Sequence, residues 1–202
     1  MMIAILDYGV GNLGSVLNMV RRVGLNAEIT GNPVVVAKAS KIILPGVGAF
    51  DRAMTCLSKS GLRDALDKRV LEDKVPVLGI CLGMQMLCSG SEEGELPGLG
   101  YVRAYARKIS ATADIKVPQM GWNAVRRATP SRLTDDLPDD ARFYFVHTYA
   151  VRVEEERDSL LKCRYGEEFD AGIVHDNIFG VQFHPEKSHK FGRTLFTAFG
   201  DL

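Results

Sequence analysis

A cysteine at position 81 lies where a strand-like run meets a helix-like run, and a glycine stands two residues away on each side. The segment reads Val77-Leu-Gly-Ile-Cys81-Leu-Gly-Met-Gln85. Glycines at 79 and 83 permit the sharp strand-to-helix turn that raises the nucleophile above the sheet in G-x-S-x-G elbows. The turn also places the sulfur at a helix N-terminus, where the helix dipole favours thiolate over thiol. The pattern predicts that Cys81 is a nucleophile rather than a buried structural cysteine.

A histidine and a glutamate two residues apart supply the partners that a nucleophilic cysteine needs. His184 ends another apolar strand, in the run Gly180-Val-Gln-Phe-His-Pro-Glu186. Parallel strands end at the same edge of a sheet, so Cys81 and His184 can meet there. Glu186 can accept a hydrogen bond from the imidazole and fix its tautomer, as the third member of a triad does. Together with the elbow, these residues predict acyl transfer by a Cys–His–Glu triad.

Acyl transfer also requires hydrogen-bond donors for the oxyanion that develops in the transition state. The elbow offers the backbone N–H of Leu82. A second donor is expected from Val47, in the turn Pro45-Gly46-Val47-Gly48 that follows the strand-like run KIIL. Glycines on both sides of Val47 would let a peptide plane turn over, which would make the hole switchable. An ordinary strand-to-helix turn explains the same residues, and the sequence leaves both interpretations open.

The other cysteines and histidines are assigned no chemistry. The four cysteines form no C-x-x-C pair, so no zinc site is predicted, and we expect neither a metal nor another cofactor. We expect His147 to have a structural role beside the site, and His175 and His189 to lie on the surface. The remaining thiols are interpreted as reduced, small hydrophobic residues: Cys56, Cys88 and Cys163.

The composition is that of an ordinary globular protein and narrows the classes of function. Of the 202 residues 46% are hydrophobic, and 25 basic residues balance 25 acidic ones. A chain without a basic excess is not expected to bind nucleic acid, and no apolar run approaches the roughly 20 residues of a membrane span. We expect one domain over residues 1–202, located in the cytoplasm.

Alternating strand-like and helix-like segments must position the candidate residues. In the first half, strands are predicted at 2–6, 26–30, 41–44 and 75–80, and helices at 13–23, 51–57, 62–71 and 82–87. In the second half, strand-like runs at 142–151, 159–165 and 178–183 precede a closing helix at 188–199. This order predicts an α/β fold with an open, mostly parallel central sheet, helices on both faces and antiparallel additions in the second half.

A glycine motif near the N-terminus supports a rival interpretation. Gly9-Val-Gly-Asn-Leu-Gly14 matches G-x-G-x-x-G between a strand and a helix, and Glu28 lies near the place of a ribose-binding acid. A Rossmann-type nucleotide-binding module is therefore the distant alternative. The glycines also suit a simple tight turn. The tight turn is preferred, because ligands of open α/β sheets usually share one crevice and the triad already defines it.

Several blocks of sequence resemble the triad-type, or class I, glutamine amidotransferases. The blocks are PGVG at 45–48, GICLGMQ at 79–85 and HPE at 184–186. Further blocks resemble the glutaminase subunits of imidazole glycerol phosphate synthases: LDYGVGN at 6–12, VPQMGWN at 117–123, FYFVHTY at 143–149 and GVQFHPEKS at 180–188. The resemblance spans nearly the whole chain and implies a flavodoxin-like α/β fold.

The resemblance implies a reaction and a set of binding residues. Cys81 would attack the side-chain amide of L-glutamine and form a glutamyl thioester. His184, oriented by Glu186, would protonate the departing ammonia and then activate water. The positions that match glutamine-binding residues of the family are Gly46, Gly48, Gln85, Glu93 and the backbone at Thr148 and Tyr149.

The resemblance also implies a partner, a cyclase subunit with a (β/α)8-barrel fold that forms a heterodimer with this chain. The cyclase would use the ammonia to make imidazole glycerol phosphate and aminoimidazole carboxamide ribotide in histidine biosynthesis. The matching partner-facing residues are Gly121, Trp122, Asn123 and Lys187. For Trp122, the only tryptophan, packing in the core explains the sequence equally well.

One departure from the family bears on the partner. Gln119 stands where the family usually has histidine, beside the expected interface. The stretch SEEGELPGLG at 91–100 and the tail KSHKFG at 187–192 also resemble a paralogous branch, which supplies ammonia for sugar amidation in surface-polysaccharide synthesis. We favour the histidine pathway and keep this paralogue as the first alternative.

Overall fold

The computed structural model describes residues 1–202. Its first half alternates strands and helices. The strands are β1 (Ile3–Leu6), β2 (Ala27–Thr30), β3 (Lys41–Gly46) and β4 (Val77–Cys81). The helices are α1 (Leu13–Arg22), α2 (Pro33–Val36), α3 (Phe50–Lys59), α4 (Arg63–Asp67) and α5 (Leu82–Leu87), and one π-helical turn (Lys68–Glu72) continues α4.

The second half is made mostly of strands. They are β5 (Gly90–Ser91), β6 (Ala104–Lys108), β7 (Gln119–Ala124), β8 (Arg126–Arg127), β9 (Arg142–His147), β10 (Tyr149–Val153), β11 (Ser159–Tyr165), β12 (Glu167–His175) and β13 (Ile178–Val181). Short 3-10 turns lie at Glu156–Asp158 and Pro185–Lys187, and α6 (His189–Asp201) closes the chain. None of the helices combines the length and the apolar character needed to span a membrane.

The predicted sheet is confirmed, including its change of character in the second half. The strand order is β2-β1-β3-β4-β13-β12-β10-β6-β5, and neighbouring strands from β2 to β13 are parallel. From β13 onward β12, β10 and β6 pair antiparallel. β11 and β8 extend the sheet through β12, while β7 and β9 form a separate antiparallel pair.

The apolar residues of the sheet pack into two clusters, one on each face. Side chains alternate across a strand, so Ile42 and Leu44 of β3 contact the cluster that α3, α4 and α5 cover, whereas Ile43 contacts the cluster under α1 and α6. The second cluster also takes Phe143 and Phe145 from β9. The prediction of helices on both faces is therefore confirmed.

Two predictions for the second half are wrong. The run 142–151 is not one strand, because the chain breaks at Thr148 and passes from the β7–β9 pair into the main sheet. The nine-residue strand β12 was not predicted at all. Its first residues, Glu167 and Glu168, are exposed, and only from Phe169 to Ile173 is it continuously buried. The break at Thr148 matters for the site, because it turns residues 147–149 toward Cys81.

Candidate active site

Three adjacent parallel strands bring the candidate residues to one edge of the sheet. β4 lies between β3 and β13, with Gly46 opposite Cys81 and Val181 opposite Ile80. The strands end in register, so the chain segments that leave them meet above the same edge. These segments are the turn 45–48, the elbow at Cys81 and the residues that follow Val181.

The backbone at Cys81 makes a nucleophile elbow that only small neighbours permit. Cys81 has φ 55 and ψ −111 immediately before α5, a conformation that costs about 1–3 kcal/mol for a residue with a side chain. A Cβ on Gly83 would lie 1.8 Å from the Leu44 carbonyl oxygen, and one on Gly79 would lie 2.8 Å from the backbone of Gly83. The glycines therefore let α5 pass directly over β3 and β4.

His184 is buried and held between the sulfur and a carboxylate. Its Nδ1 lies 2.8 Å from Glu186 Oε1, and the ring lines the same cavity as Cys81. Burial lowers the pKa of His184, but the hydrogen bonds with Cys81 and Glu186 and their negative charges outweigh it and raise the pKa to about 9. At neutral pH the ring therefore carries a proton that it can donate in the cavity.

The turn that carries His184 is fixed by Ser188, a residue that sequence reasoning did not single out. Ser188 Oγ donates to the His184 carbonyl at 2.6 Å and accepts from the Tyr144 N–H at 3.0 Å. The His184 N–H in turn donates to the Tyr144 carbonyl at 2.9 Å. β9 therefore supports the histidine directly. The serine belongs to the block GVQFHPEKS, which was the only available sign of its role.

The expected oxyanion turn lies at the mouth of the site. Val47 is exposed, and Gly48 has φ +93, a conformation that favours glycine. Tyr8 donates from its hydroxyl to the Pro45 carbonyl at 2.5 Å, so the peptide before the turn is fixed. Leu82 is the first residue of α5, where a helical N–H lacks an intrahelical partner. The placement of Leu82 and Val47 is compatible with the expected pair of donors.

A cavity of about 350 Å³ opens above Cys81. Its lining contains Val47, Gly48, Cys81, Leu82, Gln85, Glu93, Pro118, Val146, His147, Thr148, Tyr149, His184 and Lys187. Gly46 is not among them, because it packs beneath the elbow, where a Cβ would lie 2.8 Å from the Gly83 nitrogen. A larger cavity of about 670 Å³ near residues 107–115 contains neither cysteine nor histidine, so the smaller one is the candidate site.

Hydrogen bonds within the protein fix the two expected substrate-binding side chains. Gln85 donates through Nε2 to the Tyr149 carbonyl at 3.1 Å and to Gln182 Oε1 at 3.0 Å, which leaves Gln85 Oε1 to accept from a ligand. Glu93 Oε2 accepts from the Phe50 N–H at 3.0 Å. Burial raises the pKa of Glu93, although that hydrogen bond lowers it. Both side chains line the cavity with their positions already set.

The backbone at 148–149 lies at the site, but its carbonyls are already occupied. The Tyr149 carbonyl accepts from Gln85 and lies 2.8 Å from His147 Nδ1, and the Thr148 carbonyl accepts from the Ile109 N–H. A contact of this backbone with a substrate would therefore use N–H groups. His147 lines the cavity with a buried Nε2 that has no hydrogen-bond partner.

The environment of His147 predicts a loss of stability in acid. Burial lowers the pKa of His147 to about 4; the bond to the Tyr149 carbonyl opposes this and the charge on His184 adds to it. An unfolded histidine titrates near 6.5, so the stabilisation is complete above about pH 6.5 and is lost as the pH falls through 4. The difference is on the order of 3 kcal/mol.

Urea unfolding of the wild type and of His147→Gln between pH 7 and 4 measures this difference. Glutamine does not titrate, so the variant should lose less free energy of unfolding across that range. Parallel curves for the two proteins would contradict the buried, neutral state of His147.

The N-terminal glycine motif has the geometry of a tight turn. Gly9 and Gly11 have φ +92 and +124. In the dinucleotide fingerprint the third glycine permits close packing of helix on strand, yet a Cβ on Gly14 would meet nothing within 4 Å. Glu28 is exposed on β2. The motif thus lacks one of the contacts that the nucleotide-binding interpretation requires.

Two of the expected partner-facing residues, Trp122 and Lys187, form an exposed surface beside the cavity, whereas Gly121 and Asn123 are half-buried. Trp122 is 44% exposed, so the alternative that it packs in the core is wrong; its ring stacks on His189 with centroids 5.4 Å apart. Gly121 and Asn123 flank it on β7, and Lys187 lies with Nζ 5.7 Å from the centre of the Tyr144 ring. No group of three or more histidine, cysteine and acidic side chains is arranged to hold a metal ion.

Gln119 is not part of that surface. Its side chain is fully buried, and neither amide atom has a hydrogen-bond partner. It faces the interior opposite His147, its neighbour on β9. This departure from the family at position 119 therefore leaves the exposed face of β7 unchanged. It gives no reason to prefer a partner other than the histidine-pathway cyclase.

Comparison with known proteins identifies the family. The model of the family described as glutamine amidotransferase class-I matches residues 4–200. The imidazole glycerol phosphate synthase subunit HisH 2 of Methanococcus maripaludis is 50% identical over 198 residues, which are 98% of this chain and 98% of that protein. The protein of the same name from Pseudomonas aeruginosa is 48% identical and covers both chains completely.

Solved structures have the same fold at low sequence identity. PurLQS from Thermotoga maritima matches with a TM-score of 0.74 at 15% identity and covers 99% of this chain and 97% of that one. A glutamine amidotransferase from the same organism matches with a TM-score of 0.65 at 18% identity, covering 100% and 83%. Such identities show the fold alone. The family match and the full-length relatives show that this chain belongs to the class I glutamine amidotransferases.

Proposed function

We propose that this chain is the glutaminase subunit of an imidazole glycerol phosphate synthase, acting as a single domain over residues 1–202. It hydrolyses L-glutamine to glutamate and ammonia for a second subunit. The observation that carries the proposal is the arrangement at the sheet edge, where Cys81 on its elbow faces a buried His184 held by Glu186. The relatives that cover the whole chain bear the name of this synthase subunit.

The geometry supports a two-step reaction. The Cys81 thiolate attacks the side-chain carbonyl carbon of glutamine, and the protonated His184 gives its proton to the departing nitrogen, which leaves as ammonia. The neutral ring then takes a proton from water, and the hydroxide attacks the thioester. Glutamate leaves, the thiolate re-forms and His184 is again protonated. Glu186 keeps the ring oriented and stabilises its charge throughout.

The cavity suggests how glutamine is held. Gln85 Oε1 accepts from an N–H of the substrate, and Glu93 offers a carboxylate to its ammonium group, because both side chains line the cavity and are fixed by protein hydrogen bonds. Leu82 and Val47 would supply N–H groups to the oxyanion. These roles follow from position and chemistry, and each can be tested by substitution.

Labelling with a glutamine analogue that carries an electrophilic carbon tests the substrate and the nucleophile together. We expect one covalent adduct on the peptide that contains Cys81, and protection of that cysteine by excess glutamine but not by asparagine. An adduct that is spread over Cys56 and Cys163, or that glutamine does not suppress, would contradict the proposal.

The ammonia requires an acceptor, and the names of the relatives imply a second subunit. We propose a (β/α)8-barrel cyclase that forms a heterodimer with this chain in the cytoplasm. It would bind the surface around the exposed Trp122 and Lys187, with Gly121 and Asn123 beside Trp122 on β7. Lys187 lines the cavity and Trp122 lies beside it on the same face, so a cyclase docked there would cover the mouth of the site and receive ammonia directly.

Truncation of the exposed tryptophan should weaken that complex. Large aromatic side chains at the centre of an interface often contribute 2 kcal/mol or more to binding, so Trp122→Ala is expected to raise the Kd about 30-fold. Leu71→Ala is the matched control, because Leu71 is 43% exposed but lies before β4, at the opposite end of the sheet. Calorimetric titration with the cyclase measures both. Equal Kd values for the two variants would contradict the assigned face.

One observation favours the paralogous alternative, a glutaminase for sugar amidation. The tail 187–192, which resembles that branch, includes His189, and His189 stacks on Trp122 within the proposed interface. The stretch that resembles the paralogous branch therefore contributes to the place where a partner would bind. Stimulation by an amidating enzyme of a sugar pathway, without stimulation by the cyclase, would support this alternative.

A further inference from the structure

Gln182 is a buried glutamine next to the sulfur of Cys81. It belongs neither to the triad nor to the residues that are proposed to contact the substrate. Gln182 follows β13 directly, has no exposed surface, and donates its backbone N–H to the Ala171 carbonyl at 2.9 Å. We propose that the side-chain amide of Gln182 donates a hydrogen bond to Cys81 Sγ and stabilises the thiolate during the reaction. This inference rests on the proposed glutaminase function.

The contacts of Gln182 fix the orientation of its amide. Its Oε1 accepts from Gln85 Nε2 at 3.0 Å, and its Nε2 lies 3.8 Å from Cys81 Sγ. Gln85 Nε2 is held in turn by the Tyr149 carbonyl at 3.1 Å. If the amide of Gln182 turned over, its NH2 would face the NH2 of Gln85 and its oxygen would face the sulfur. The chain of bonds from β10 therefore directs an N–H of Gln182 at the sulfur.

A hydrogen-bond donor at this position stabilises the negative charge that the sulfur carries during the reaction. A hydrogen bond to an ionised acceptor is about twice as strong as one between neutral groups, so the amide favours thiolate over thiol. The sulfur holds negative charge before it attacks and again when it leaves the thioester. His184 gives up its proton in the first step, whereas the amide of Gln182 remains a donor in both steps.

The same chain of bonds links the sulfur to the substrate. Gln85 lines the cavity and holds Gln182, so a ligand on Gln85 Oε1 and the thiolate are joined through two amides. The titratable groups around the sulfur are His184 with Glu186 behind it, His147, Glu93, Lys187 and Tyr149 in the cavity, and Tyr8 beneath the turn. Gln182 is not among the residues that line the cavity, yet its Nε2 lies 3.8 Å from the sulfur.

Two substitutions remove the donor in different ways. Gln182→Met keeps much of the volume but makes no hydrogen bond, and Gln182→Glu keeps the shape but places a negative charge beside the sulfur. Asn177→Ala is the matched control, because Asn177 Nδ2 donates to the Val70 and Val75 carbonyls at the other end of β13. The readouts are the rate of Cys81 alkylation by iodoacetamide from pH 5 to 10, glutamate release, and the melting temperature.

We expect Gln182→Met to raise the midpoint of the alkylation profile by about one to two pH units, and Gln182→Glu to raise it further because like charges disfavour ionisation. The kcat for glutamate release should fall at least about tenfold in both, with a smaller change in KM because Gln85 remains bonded to Tyr149. Asn177→Ala should keep the wild-type midpoint and kcat even where its melting temperature falls.

A wild-type midpoint and kcat in folded Gln182→Glu or Gln182→Met would overturn the inference. A uniform loss of activity with an unchanged midpoint would also overturn it, since that pattern indicates a structural role alone. The alkylation profile does not depend on glutamine. If the wild-type chain released no glutamate with any partner, the proposed function would fail, and the profile would still decide the role of Gln182.

Discussion

Replacing Cys81 with alanine is expected to abolish glutamate release while the fold survives. In the proposed reaction the sulfur forms the only covalent bond to the substrate, and the loss of such a nucleophile typically costs about 10⁴-fold or more in kcat. The backbone should tolerate the change, because alanine and cysteine have the same strain at φ 55. The measurement is glutamate production by the complex with the proposed cyclase subunit, together with the melting temperature of the variant.

A second cysteine variant serves as the control for the first. Cys56 is half-buried and lies outside the cavity, so Cys56→Ala should retain wild-type turnover. Cys81→Ala that still released glutamate above about one part in a thousand of the wild-type rate would contradict the role of the sulfur. A large fall in its melting temperature would indicate a structural role for the thiol instead.

Adding a methyl group at Gly83 is expected to break the elbow. A Cβ at this position would lie 1.8 Å from the Leu44 carbonyl oxygen and 3.4 Å from the Pro45 carbonyl carbon. Both contacts are with backbone, so α5 or β3 must move. We expect Gly83→Ala to lower the free energy of unfolding by at least about 3 kcal/mol. In the fraction that folds, kcat should fall about a hundredfold, since a 1 Å displacement of a nucleophile has effects of that size.

Gly14 offers a matched control for the same substitution. It also lies in a helix that follows a glycine-containing segment, but a Cβ there meets nothing within 4 Å. Gly14→Ala should therefore stabilise the protein by up to about 1 kcal/mol through helix propensity and leave kcat unchanged. Urea unfolding of the two variants decides the matter. A Gly83→Ala protein as stable and active as Gly14→Ala would show that the close approach of α5 to β3 is not required.

The parts of the fold that follow from local pattern were predictable. β4 is apolar throughout and buried on both faces, as a central parallel strand must be, and glycines at 79 and 83 marked the elbow that follows it. His184 stands just beyond β13, which is also fully buried. Because β4 and β13 are neighbours in the sheet, the same reasoning placed the histidine beside the cysteine.

The features of the second half that were not predicted depend on contacts between residues that are distant in the sequence, and local pattern does not reveal such contacts. The run 142–151 is mostly apolar from one end to the other, so nothing in it signals that β9 and β10 belong to different sheets. β12 begins with two exposed glutamates, which hide its buried centre. The missed strand and the missed break therefore have one cause, since pairing partners are decided by distant parts of the chain.

The sequence also could not predict the roles of side chains that depend on which residues they contact in the fold. Gln182 and Ser188 are ordinary polar residues by type, and only their distances to Cys81 and to the His184 carbonyl distinguish them. Gln119 was expected beside the interface but is buried, because every second side chain of β7 points inward. The sequence alone does not indicate which alternate set of β7 side chains points inward. Nucleophile and base, by contrast, are recognisable by residue type and spacing alone.

The most direct test of the account is glutamate release from glutamine, measured first for this chain by itself and then with the proposed cyclase subunit and the substrate of that subunit. We predict strong stimulation by the liganded cyclase, complete dependence on Cys81, and weak activity of the free chain. Glutamate release that the cyclase does not change would contradict the histidine-pathway assignment. No release under any of these conditions, with Cys81 intact and the chain folded, would contradict the glutaminase function itself.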